Sequence, residues 1–188
     1  MRSPLDHLLA CHCGPVLMNR KPAALISQPP AMRQALCSVH RRTGGRLRLL
    51  LLLRNGRDDL VFLYNPILLE QALRDRQAQD ILVECGYTRN ATLQEMLHHL
   101  HTRLREEDFP HEVGLFLGYP PDDVAGFIRH KGEHYKDCCG WKIYGDEGRA
   151  RRLSAEHRRC RDYLMEQVER GYSVFDLCFP VGRAASGE

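Results

Sequence analysis

Two groups in this sequence have the most chemistry to offer. One is the thiol of Cys13, in Cys11-His12-Cys13-Gly14-Pro15; the other is the imidazole of His111, in Phe109-Pro110-His111-Glu112-Val113. Gly14-Pro15 interrupts whatever precedes it, and Pro15 suits the first position of a new short helix. Cys13 would then face the positive end of that helix, where a thiol loses its proton more easily. His111, at the entry of a predicted strand over 113–117, would act as its base, and a cysteine followed much later by a histidine is an order that thiol hydrolases use. Glu112 would point to the opposite face of that strand. Asp137 or Asp146, beside the next strand, is therefore the better orienting group. This constellation predicts a thiol-dependent Cys–His site of hydrolase or transferase type. The plainer alternative is that Cys13 is a packing thiol and His111 ends a strand.

Other groupings point to binding without catalysis. Cys11, Cys13, Cys138 and Cys139, with His12 and His111 nearby in type, could form a metal- or cofactor-binding module. Structural zinc favours Cys-x₂₋₄-Cys, whereas Cys-x-Cys and Cys-Cys strain a tetrahedron, and no particular cofactor is indicated. The cluster His98, His99 and His101 runs beside an apolar stripe and fits a solvated helix face. The arginines between Arg149 and Arg161 are interleaved with Glu147, Glu156 and Asp162, so their field is locally neutralised and nucleic acid is not favoured. The turn Gly118-Tyr119-Pro120-Pro121 offers a third reading, a protein-interaction domain with Tyr119 as anchor. Phosphate-loop, dinucleotide and Gly-x-Ser-x-Gly motifs are missing from the sequence. The partner left open is a small molecule or another protein.

These groups must be positioned by a fold that the patterning partly shows. Helical signals cover 4–10, 32–43, 66–74 and a stretch ending near Gly86. The clearest helix starts at Thr92, with Leu93, Met96, Leu97, Leu100 and Leu104 on one stripe. Residues 23–26 fit a short strand or a helical turn. Residues 47–53 and 60–64 read as a hairpin about Asn55-Gly56, and 140–144 as a later strand. Pro120-Pro121-Asp122-Asp123 opens a further helix closed by Lys131-Gly132, and 146–170 is a long helix. The expected class is α+β: a small, mostly antiparallel sheet, made of the hairpin plus two later strands, packed by several helices. Residues 1–180 are expected as one domain and 181–188 as a flexible tail.

The 188 residues are 43% hydrophobic and 27% charged, enough for one core that buries about 70% of the unfolded surface. A net charge of +3 does not by itself imply a polyanionic partner. The run Leu49–Leu53 is far short of the roughly 20 residues that cross a bilayer. The N-terminus carries an acid where an export signal needs an apolar run. The expectation is a cytoplasmic protein without a membrane partner, whose eight cysteines are not a disulfide framework.

Three words of the sequence, in order, resemble a bacterial family known as domain of unknown function 3793. They are His12-Cys13-Gly14-Pro15 with Lys21-Pro22-Ala23; Phe109 to Pro120 with its continuation to Gly132; and Cys139-Gly140-Trp141-Lys142-Ile143-Tyr144. The closing helix around Cys160 matches as well. The resemblance covers most of the chain and implies no particular activity. Binding candidates within these words are His12, Lys21, Glu112 and Tyr119.

Overall fold

The strand Asp59–Tyr64 is buried along its whole length, because a neighbour flanks it on each edge and helices cover both of its faces. The computed structural model describes residues 3–53, 58–105 and 109–180. Its main sheet consists of β1 (Ala23–Gln28), β2 (Arg48–Leu53) and β3 (Asp59–Tyr64) in the order β1-β3-β2, all antiparallel. Ala23 and Arg48 both pair with Tyr64, and Gln28 and Leu53 both pair with Asp59. The period of two then sorts the side chains onto two faces. Ala24, Ile26, Val61 and Leu63 enter one core, while Ala23, Phe62 and Tyr64 enter the other.

The helices divide accordingly. In chain order they are α1 (Pro4–Leu17), α2 (Arg33–Arg42), α3 (Pro66–Leu73), α4 (Arg76–Glu84) and α5 (Leu93–Arg103). They continue with α6 (Val113–Phe116), α7 (Pro121–His130), α8 (Glu147–Glu169) and α9 (Val174–Cys178). Helices α1, α2, α8 and α9 supply the first core, and α3 to α7 the second. Several starts follow side-chain capping rules. Asn65 accepts from Ile67 and Leu68, Asp75 from Ala78, and Thr92 with Glu95 forms a full capping box.

The class is α+β, as the patterning implies, but the strands come from different segments. The hairpin's third strand is the earlier segment β1. Residues 113–117 are not a strand: Val113–Phe116 is a buried helical turn, closed by N–H bonds from Gly114 to His111 and from Leu115 to Glu112. A short apolar run has no period long enough to tell the two apart. The later strand is half of a separate ribbon, β4 (Asp137–Cys138) with β5 (Lys142–Ile143). The Asn55-Gly56 turn and the 181–188 tail lie outside the described residues.

Pro15 also behaves differently from its expected role. It lies inside α1, in the last turn, and starts no new helix. A proline there forgoes one backbone bond, and its own carbonyl accepts N–H groups from both Arg20 and Lys21, at 2.7 and 3.2 Å. Gly14 permits close approach to α8: a Cβ on it would stand 3.0 Å from Arg161 Cα. Gly14-Pro15 is therefore a packing device that carries the chain from α1 into β1.

Candidate functional site

The site is assembled around the buried carboxylate of Asp123, in the first turn of α7. Oδ2 accepts from Trp141 Nε1 at 2.7 Å, and Oδ1 accepts from the backbone N–H groups of Tyr144 and Gly145, both at 2.8 Å. One carboxylate thus pins the loop and end of the β4–β5 ribbon to α7. Gly126, one turn on, leaves room for Tyr144. Held in this way, Trp141 stacks on Tyr119, with ring centroids 4.8 Å apart and planes 19° from parallel. Lys21 Nζ lies 5.1 Å from the centre of the Tyr119 ring, within cation–π range.

The Tyr119–Trp141 pair, with Cys138 and Gly140, borders two cavities. One, of about 400 Å³, is mainly apolar, with Leu25, Val113, Leu117, Val124, Phe127 and His111 in its wall. The other, of about 470 Å³, is basic: Lys21, His157, Arg158, Arg161 and His12 line it, together with Cys11, Cys139 and Ser154. No aspartate or glutamate is among the described residues lining it. Four of these groups stand on one face of α8, since Ser154, His157, Arg158 and Arg161 are spaced i, i+3, i+4, i+7. Cys11, His12 and Pro15 come from the facing turns of α1. Burial draws the Lys21 ammonium down to about 8. Burial, and then the neighbouring Lys21, also lower His157.

The residues singled out from the sequence divide clearly. His12, Lys21 and Tyr119 come together in the basic cavity, with Cys11, Cys138 and Cys139. Cys13 is not exposed there. It is 0% accessible, lies in the first core near the negative end of α1, and burial pushes its thiol up to about 12. The activation expected from a helix start is absent: burial raises the thiol, and Pro15 lies in the last turn of a helix and does not begin one. His111 lines the apolar cavity, its ring edge-on to Phe127 at 4.8 Å, on a turn and not at a strand entry.

The proposed orienting carboxylates are engaged elsewhere. Asp137 pairs with Arg151 at 2.6 Å, and Asp146 caps α8 by accepting from Arg149 N–H at 2.9 Å. That backbone bond holds the Asp146 carboxyl below its usual range. Glu112 is 2% exposed and accepts from Arg103 Nε at 3.1 Å and the Tyr87 hydroxyl at 3.4 Å. It ties α5 to the turn before α6 and does not line either cavity. Among the described residues, no three His, Cys, Asp or Glu side chains converge as a metal site, and of Cys11, Cys13, Cys138 and Cys139 only Cys13 does not line the basic cavity. Tyr119, expected as an anchor for a partner, is half-buried between Trp141 and Lys21.

Asp123, Trp141 and His157 are not marked as site residues by the sequence, and Arg158 and Arg161 are marked there only as part of a locally neutralised basic run. The α8 stripe was the available signal, hidden because its arginines also read as part of a neutralised surface.

The fold and the site together define an α+β protein with paired apolar and basic cavities divided by an aromatic stack. A family model described as protein of unknown function DUF3793 matches residues 9–178, and the chain belongs to that family. No curated protein and no solved structure matches it. Among the described residues, no helix is long and apolar enough to cross a membrane.

Proposed function

We propose that the protein is a binding module for an anionic small molecule, a metabolite or cofactor that carries an acidic group beside an apolar ring or chain. The observation that carries this reading is the Tyr119–Trp141 stack shared by an apolar cavity and a basic one that no carboxylate lines among the described residues. Pockets of this kind take their affinity from apolar contact and their orientation from a few polar groups. Here Lys21, Arg158 and Arg161 would hold the anion, and the ring or chain would lie along Phe127, Val124 and Leu117. Arg161 also pairs with Asp162 at 2.8 Å, an exposed contact that an anion can share or replace. A thiol-dependent hydrolase would need Cys13 accessible and ionised, and its burial argues against that role. A cytoplasmic location belongs to the same proposal, and the free cysteines fit a reducing compartment.

Isothermal titration with phenyl phosphate tests the reading, because that probe joins an aromatic ring to a dianion. It should bind at one site per chain and more tightly than either inorganic phosphate or phenol. Equal affinity for phenyl phosphate and phenol, or no saturable binding of phenyl phosphate, would count against an anion site.

A further inference from the structure

We infer that Lys21 acts as an amine nucleophile in the basic cavity, forming an imine with a carbonyl group on the bound anion. The inference rests on the anion-binding reading above and adds to it a reactive atom and a substrate class, the anionic aldehydes and ketones.

The placement of Lys21 is unlike that of the other lysines. The chain contains four lysines against twenty-three arginines, so lysine is its rare choice of cation. Lys136 Nζ donates to the Gly145 carbonyl and Lys142 Nζ to the Gly132 carbonyl, both structural contacts, while Lys131 ends α7 on the surface. Lys21 faces a cavity that already holds Arg158 and Arg161, either of which binds an anion without a lysine's help. An amine adds one thing a guanidinium cannot, a nitrogen able to lose its proton near neutral pH.

The surroundings favour the neutral amine. Burial is the largest influence and disfavours the charge, outweighing Cys13, which favours it. Besides Tyr119, the other ionisable groups lining its cavity among the described residues are thiols, imidazoles and guanidiniums. No carboxylate is paired with it among the described residues. With the ammonium drawn down to about 8, about one Lys21 in ten is neutral at pH 7, against about three in ten thousand for an ordinary lysine. Desolvation beside other cations is a known way to activate a lysine.

The chemistry balances without a co-reactant. Nζ attacks the carbonyl carbon, a C–N bond forms, and a carbinolamine results. The carbonyl oxygen then leaves as water, taking with it the two protons of the neutral amine, and a C=N bond remains. Nothing is oxidised or reduced.

Pyridoxal phosphate, used as an aromatic aldehyde carrying a phosphate, provides the test. The intact protein is treated with it at pH 7, reduced with borohydride, and peptide-mapped at all four lysines. The adduct should form on Lys21 at least about tenfold faster than on Lys131, Lys136 or Lys142, and excess phenyl phosphate should suppress it. Lys21→Arg, checked for native circular dichroism, should lose the adduct. If phenyl phosphate binds saturably but Lys21 is labelled no faster than Lys131, the imine inference falls and the anion reading stands. If phenyl phosphate does not bind and labelling is even across the four lysines, both fall.

Discussion

Asp123 shows how much one side chain can decide. It satisfies an indole N–H and two backbone N–H groups, and through them it fixes the orientation of Trp141 and hence the wall between the cavities. Removing a carboxylate that accepts from three half-buried donors loses three charge-assisted hydrogen bonds, at roughly 1.5–3 kcal/mol each. Asp123→Ala should therefore cost more than about 3 kcal/mol in urea denaturation and release Trp141 to solvent, seen as a red-shifted emission. A loss below about 1 kcal/mol with unchanged emission would show that the ribbon is held by other means. At this scale part of the arrangement is legible in the sequence. The words holding His12, Lys21 and Tyr119 do meet. Asp123 was read only as charge at a helix start, because nothing local shows that its acceptors serve a loop about twenty residues on. The state of Cys13 is not legible for a different reason: a thiol's ionisation depends on which end of a helix it sits near and on whether water reaches it.

At the scale of elements, glycine spacing governs how closely the pieces approach. Gly126 lies under Tyr144, where a Cβ would collide with Tyr144 Cβ and Cγ, atoms too near the backbone to rotate away. Gly126→Ala should push β5 off α7 and weaken the Asp123 bonds to Tyr144 and Gly145. We expect a loss of about 1–3 kcal/mol, in the range of overpacking, even though alanine is the better helix former. Equal or raised stability in thermal unfolding would contradict this packing. Capped, periodic helices such as α5 were legible from their residues, as was the α8 span. Pro15 and α6 were not. One turn of helix and one short strand carry the same apolar content, and a proline near a helix end fits either the end of one helix or the start of the next.

For the whole molecule, the three-stranded sheet serves as a partition. The first core and α8 lie on one side, and α3 to α7 on the other. The cavities form where segments from both layers meet: α1 and α8 supply the basic side, α6 and α7 the apolar side, and the ribbon closes between them. The α+β class follows from alternating patterns along the chain. Which segments become neighbours does not, because β1 must pair across more than thirty residues with β3 before either core exists.

Trp141 is the single tryptophan of the chain and forms part of both cavity walls. The most direct test of an anion site is therefore a titration of its emission with phenyl phosphate, in the wild-type protein and in the Arg158→Ala/Arg161→Ala variant. These arginines are exposed, so their removal should leave the fold intact. The account predicts a saturable change in the wild type, an affinity at least about tenfold weaker in the variant, and a weaker response as salt is raised. A flat titration, or one that neither the arginines nor salt affect, would contradict it.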